Sequence, residues 1–165
     1  MIEYVKGDIF ESGCFVGVNT VNCKGVMGKG IAKEFKERYP EMFKQYKNDC
    51  KHGFFKPGNI KVYYHPRAFL SVGPRGCDIN EFDIIVCMAT KDDWRYPSKV
   101  EWVENCLKQL RDFIKINFEN NCTFAMTKPG CGNGKLNWET QVKPIVEKYL
   151  SDLKQTIYIY DKAAS

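Results

Sequence analysis
Short runs of alternating, β-branched or aromatic residues recur along the chain, and between them lie longer stretches whose apolar positions fall three and four apart. The first kind predicts strands at Ile2 to Lys6, Phe15 to Thr20, Ile60 to Tyr64, Phe82 to Thr90, Cys122 to Thr127 and Thr156 to Tyr160, with a weaker edge strand at Ala68 to Val72. The second kind predicts helices. Ile31 and Phe35 share a face after a glycine-rich loop, and Pro40 opens a second helix that carries Met42, Phe43 and Tyr46 and is closed by Gly53. Ser98 with Glu101 reads as a capping box. The helix it starts buries Val103, Cys106, Leu107, Leu110 and Ile114 and turns Glu104, Lys108, Arg111 and Lys115 to water. Trp138 to Leu150 is helical too, with a broken or late start at Pro144. Alternating strands and helices predict an α/β fold, with antiparallel pairing where strands follow one another without a helix. His65 to Glu81, with Pro66, Gly73, Pro74 and Gly76, reads as a surface excursion.

The 165 residues suit one domain with a sizeable core. The chain has no apolar run of about eighteen residues or more, so no membrane association is expected. Its start, Met1-Ile2-Glu3-Tyr4, lacks the basic and apolar regions of a signal peptide, which predicts a cytoplasmic protein. Eight irregularly spaced cysteines then read as reduced thiols. The two histidines, His52 and His65, form no ligand pattern with them, so no metal is expected. A formal charge of +5 favours acidic ligands such as nucleotides or nucleic acid.

The chemistry concentrates just past strand ends. Gly7-Asp8-Ile9 follows the first strand and the Asn19 to Gly30 loop the second. Thr90-Lys91-Asp92-Asp93-Trp94 follows a central strand, and Pro129 to Lys135 the next. In open α/β sheets that edge is where ligands bind. Gly25, Gly28 and Gly30 let the backbone approach a ligand and take positive φ, and the unpaired N–H groups of the following helix suit a phosphate. Asn19 and Asn22 at the strand end are placed to hydrogen-bond sugar hydroxyls. A second glycine-rich loop, Gly130-Cys131-Gly132-Asn133-Gly134, faces the first, so the pair suits an elongated ligand with a pyrophosphate between sugars. Lys24, Lys29, Lys91, Lys128 and Lys135 bias the rim toward negative charge. Cys131, with no histidine near in sequence to activate it, reads as a packed side chain. Trp94 and Trp138 read as core or loop anchors.

Taken together, the Gly-Asp-Ile, the Asn22 and Gly-Val-Met-Gly-Lys-Gly run, Ala89-Thr90-Lys91-x-x-Trp94-Arg95 and Gly-Cys-Gly-Asn-Gly resemble the macrodomain family. They are most similar to the DarG-type branch, antitoxins that remove ADP-ribose from thymine bases in DNA. The resemblance covers nearly the whole chain and implies a single macrodomain over residues 1–165. The implied fold is a three-layer α/β/α sandwich around a mixed, largely parallel sheet. It also implies that Asp8 accepts from the adenine amino group, with a backbone contact from Ile9, and that Asn22 holds the distal ribose. Gly28, Lys29 and Gly30 would grip one side of the phosphates and that ribose. Gly132, Asn133 and Gly134, in the loop begun by Gly130 and Cys131, would grip the other. Lys91 and Asn22 are the implied catalytic residues; Lys91 would act at the anomeric carbon, as a nucleophilic amine or as a polarising cation, and Lys135 or Lys128 could lower its pKa.

The implied activity is an ADP-ribosyl glycohydrolase without a cofactor. The implied partners are ADP-ribosylated DNA and an ADP-ribosyltransferase, and the chain is expected to be a monomer. Phosphate removal from ADP-ribose 1″-phosphate, or binding without reaction, would use the same pocket. Lys135 stands where the branch often has glycine, and Lys128 adds a charge before the second loop. That loop holds no aspartate, which argues against glutamyl ADP-ribose as substrate. The sequence ends soon after the last expected strand, without the carboxyl-terminal extension usual in DarG antitoxins, so the resemblance carries the chemistry further than it carries a partner-toxin role.

Overall fold
The computed structural model describes residues 1–65 and 81–161. The expected edge strand at Ala68 to Val72 and most of the excursion before Glu81 lie outside the described residues. Six strands form one sheet: β1 (Ile2–Val5), β2 (Val16–Val21), β3 (Ile60–Tyr64), β4 (Ile84–Ala89), β5 (Thr123–Thr127) and β6 (Thr156–Tyr160). Their order is β1-β6-β5-β2-β4-β3, and every neighbouring pair is parallel except β3 with β4. The antiparallel pair is thus the one that closes an edge.

Among the described residues, four helices cover the two faces. On one side α1 (Gly30–Arg38) and α2 (Pro40–Lys51) bury Phe35, Met42 and Tyr46 against Phe10, Phe82 and Ile85. The two helices separate at Tyr39 because Pro40 lacks an N–H and forces the preceding residue out of helical geometry. On the other side α3 (Val100–Asn117) and α4 (Lys143–Leu150) pack on Val16, Val86 and Phe124. The five apolar positions expected on α3 are its five buried residues. Glu104 and Arg111, expected in water, are instead half-buried against α4. The Tyr149 hydroxyl donates to Glu104 at 2.7 Å, and Arg111 donates to the Tyr149 carbonyl at 2.6 Å. A π-helical turn, Trp138–Val142, precedes α4, so the late start at Pro144 is seen. No described helix is long and apolar enough to cross a membrane.

The capping box does not form. Lys99 occupies the cap position of α3, and the Ser98 N–H donates to Gly134 O at 3.0 Å. That bond ties Ser98 to a distant loop, and its buried Oγ has no hydrogen-bond partner.

The ladder between β2 and β5 places the functional edge. It pairs only Val16 with Phe124 and Gly17 with Ala125. By contrast, β2 stays paired with β4 to Val21–Ala89, and β5 with β6 to Thr127–Tyr160. The sheet therefore splits between β2 and β5 toward their carboxyl ends, which is where the two glycine-rich loops leave it. Gly17, at the root of the split, admits no side chain: a Cβ there would lie 2.4 Å from the Phe82 ring.

Candidate active site
Because β1, β6, β5, β2 and β4 run parallel, the segments after them all emerge at one edge. Asp8 follows β1 at one end, and Lys91 follows β4 at the other. Four strand spacings of ~4.8 Å separate those two strands, so the edge offers about 19 Å for an extended ligand. Asp8 caps the 3-10 turn Ile9–Glu11, its Oδ1 accepting from the Phe10 N–H at 2.9 Å. Ile9 is wholly buried, so it offers only its backbone to a ligand.

The first glycine-rich loop joins β2 to α1. Asn22 organises it from within, and is itself nearly buried. Its Oδ1 accepts from the Lys24 N–H at 2.9 Å, and its Nδ2 donates to Val26 O at 2.7 Å. The Tyr46 hydroxyl of α2 reaches the Asn22 carbonyl at 2.7 Å and Oδ1 at 3.0 Å. Gly25 and Gly30 take positive φ, 79° and 57°, whereas Gly28 does not, so the expectation holds for two of the three glycines. Gly28, Lys29 and Gly30 are exposed. Lys29 is the extended cap residue of α1, and no acidic residue stands in the first turn. The helix begins with unpaired N–H groups and the positive end of its dipole, which suits an anion.

Asn19 differs from expectation. It lies two residues inside β2 rather than at its end and is wholly buried, with Nδ2 3.8 Å from Met27 Sδ and 3.9 Å from Cys87 Sγ. Met27 of the loop covers it, so Asn19 supports the loop from beneath and does not reach sugar hydroxyls.

The second loop is built on two buried glycines. Gly130 has φ 75°, and a Cβ there would meet Leu136 at 2.9 Å. A Cβ on Gly134 would lie 2.4 Å from both Gly130 O and Ser98 Oγ. Gly132 and Asn133 form the exposed tip, and a Cβ on Gly132 would meet nothing within 4 Å. Cys131 packs beside the core, and burial pushes its thiol up to about 11, which suits a packed side chain rather than a thiolate. Lys135 is the one described non-glycine residue with positive φ, 63°.

The loops meet at Asn133. A Cβ on Gly30 would lie 3.2 Å from Asn133 Nδ2, and Lys91 Nζ donates to Asn133 O at 2.6 Å. Burial, then the Lys135 and Lys29 cations, hold the Lys91 ammonium below the usual lysine range. Lys135 thus supplies the expected neighbouring charge and Lys128 does not. Lys128 pairs with Asp161 at 2.5 Å and lies over the Trp138 ring. Trp138 is an anchor, packed edge-on to Tyr4. Trp94, read as an anchor as well, is 53% exposed.

Sequence reasoning passed over Tyr46 as more than a core residue, since its helical spacing carried no sign that the hydroxyl would hold Asn22. It named Asp93 and Arg95 only as members of motifs and missed that their side chains pair, at 2.6 Å.

A family profile described as Macro domain matches residues 18–145. A DNA ADP-ribosyl glycohydrolase of Mycobacterium tuberculosis is 38% identical over 161 residues, covering 96% of this chain and 42% of that protein. The chain therefore spans less than half of that relative's length. Among solved structures, the macrodomain of Mycobacterium tuberculosis DarG matches with a TM-score of 0.82 and 34% identity over 99% of both chains. Thermosipho africanus DarTG in complex with ADP-ribose matches with a TM-score of 0.79 and 26% identity, over 96% of this chain and 41% of that one.

Proposed function
The chain belongs to the macrodomain family, and from that premise we propose that it is a single macrodomain acting as a glycohydrolase that removes ADP-ribose from thymidine in DNA. The observation that carries the reading is the Lys91 amine, held 2.6 Å from Asn133 O between the two glycine-rich loops with its proton affinity lowered. Likeness to a DNA ADP-ribosyl glycohydrolase over 96% of the chain supports the base-linked substrate. The likeness to DarTG in complex with ADP-ribose supports the ligand.

In this reading Asp8 takes the adenine amino group at one end of the edge, next to the Ile9 backbone. The loop N–H groups from Gly28 to Gly30 and from Gly130 to Gly134 hold the diphosphate and the distal ribose. Asn22 acts chiefly by shaping the first loop. Fixing the ribose and diphosphate converts the reaction at the anomeric carbon into an intramolecular one. The neutral Lys91 amine attacks that carbon as the bond to the base breaks, and the base leaves with the bonding electrons and takes a proton from water. Water then displaces the lysine, releasing ADP-ribose and restoring the amine. The enzyme that places ADP-ribose on DNA, an ADP-ribosyltransferase, is the partner this reaction implies.

The test is a panel of an ADP-ribosylated thymidine oligonucleotide, ADP-ribose 1″-phosphate and a glutamyl-ADP-ribosylated protein. Free ADP-ribose from the oligonucleotide is expected. Phosphate release from the second compound with no turnover of the first would move the assignment to a phosphatase. Tight ADP-ribose binding without any turnover would move it to a binding module.

A further inference from the structure
The loop after Lys91 carries a surface that the catalytic reading leaves unused. Trp94 is 53% exposed and Tyr96 62%, both far more than a packed aromatic residue needs. Between them lies Arg95, its Cζ 5.9 Å from the Trp94 ring and 5.7 Å from the Tyr96 ring. The guanidinium is fixed from beneath by the nearly buried Asp93: Nε donates to Oδ1 at 3.0 Å and a terminal nitrogen to Oδ2 at 2.6 Å. The Arg95 N–H also donates to Asp93 Oδ1, at 2.9 Å. Two rings and a planar cation are thus presented to solvent on a backbone that is already ordered.

This loop is pinned to both sides of the proposed active site. The Cys23 N–H, at the start of the first glycine-rich loop, donates to Asp92 O at 2.9 Å. At the other end Ser98 donates to Gly134 O in the second, at 3.0 Å. The aromatic residues therefore stand on the rim beside Lys91, at the ribose end rather than the Asp8 end. Lys24 links them to a further feature, since its Nζ lies 3.8 Å from Asp92 and it also lines an open groove of about 560 Å³ with Lys44, Lys47 and Lys51. Asp92 is thereby matched by Lys24, Asp93 by Arg95, and Lys44 by Glu41 at 3.1 Å. Lys47 and Lys51 have no ion pair among the described residues.

Resting on the glycohydrolase reading, the geometry points to a track for the unpaired nucleotides that flank the modified base. Bases stack on Trp94 and Tyr96, and the adjoining phosphates lie along the groove toward Lys47 and Lys51. Exposed aromatic faces can stack only on bases that are free of a duplex, and a basic groove alongside is the arrangement that follows a single strand. Trp, Tyr and Arg also anchor protein partners. Here, however, the loop that carries the rings meets the lysine groove through the Asp92–Lys24 pair and stands beside a cleft that suits an anion, in a chain of net charge +5, and that charge fits a polyanion.

The experiment needs no turnover. A fluorescently labelled twelve-nucleotide oligodeoxythymidine without ADP-ribose is titrated with the full chain, and anisotropy is read at several salt concentrations. Trp94→Ala/Tyr96→Ala is expected to weaken binding about tenfold or more, with Trp94→Phe/Tyr96→Phe retaining most of the affinity. Lys47→Glu/Lys51→Glu is expected to flatten the slope of log affinity against log salt by about 1.4 for two lost phosphate contacts. Calorimetric affinity for free ADP-ribose should be unchanged in all three. Equal binding by wild type and Trp94→Ala/Tyr96→Ala, or tighter binding of a blunt duplex of the same length, would overturn the proposal. If ADP-ribosylated DNA is not cleaved, the glycohydrolase reading fails while these titrations still decide the track. If it is cleaved, Trp94→Ala/Tyr96→Ala should raise KM for the modified oligonucleotide and leave that for ADP-ribosylated thymidine alone. A rise of equal size for both would again overturn it.

Discussion

Lys91 Nζ donates to the backbone carbonyl of Asn133 at 2.6 Å, joining the segment after β4 to the tip of the loop after β5. These strands are not neighbours, since β2 lies between them. The bond therefore bridges the first glycine-rich loop, which leaves β2 where the sheet splits. One amine is consequently held where both loops converge, its proton affinity lowered by burial and then by the Lys135 and Lys29 charges.

The pH dependence follows from that placement. With Lys91 acting as a neutral amine, kcat/KM should rise as pH increases through its pKa, which lies below the ordinary lysine value. Lys135→Gly removes one of the two depressing cations, so the rising limb should move to higher pH. A rate that instead falls as pH rises would assign Lys91 the role of a cation. The profile of the two proteins on an ADP-ribosylated oligonucleotide measures this.

The same substitution carries a stability signature. Lys135 has φ 63°, where a side chain costs about 1–2 kcal/mol, and glycine would remove that strain while adding about 0.5–1 kcal/mol of unfolded-chain entropy. Lys135→Gly should therefore be slightly stabilising, by roughly 0.5 kcal/mol, in urea unfolding.

Tyr46→Phe should loosen the first loop. Its hydroxyl serves both the carbonyl and the carboxamide of Asn22; the carboxamide oxygen keeps the Lys24 N–H, whereas taking the hydroxyl from the buried carbonyl costs about 1–2 kcal/mol. Calorimetry should show ADP-ribose affinity falling several-fold. Tyr63→Phe, whose hydroxyl serves Asp49 at 2.6 Å, should leave that affinity unchanged.

The second loop separates folding from binding. Gly134→Ala puts a methyl group 2.4 Å from backbone oxygen and should destabilise the protein by about 1–3 kcal/mol. Gly132→Ala meets nothing within 4 Å, so its melting temperature should match the wild type. If the exposed tip closes over the diphosphate, Gly132→Ala should nevertheless weaken ADP-ribose binding.

Strand positions, the buried face of α3 and the convergence of loops at one edge were legible because they depend on local periodicity and on parallel connection. What the sequence hid depends on contacts between distant segments. Ser98 looked like a cap because Glu101 follows it, but its N–H is committed to Gly134. Asn19 looked like a ligand residue because it neighbours a strand end, whereas its place under Met27 comes from the return of the loop. Lys128 was indistinguishable from Lys135 as a rim charge until Asp161 was seen to neutralise it. Trp94 read as a core or loop anchor, whereas it is exposed on a loop tied at its two ends to Cys23 and Gly134, contacts between segments far apart in the chain.

The most direct measurement compares wild type and Lys91→Ala on an ADP-ribosylated thymidine oligonucleotide, with ADP-ribose binding followed by calorimetry on the same preparations. Wild type should release ADP-ribose, and Lys91→Ala should lose at least about a hundredfold in kcat while still binding the free ligand. Turnover by Lys91→Ala at the wild-type rate, or no detectable ADP-ribose binding by either protein, would contradict the account.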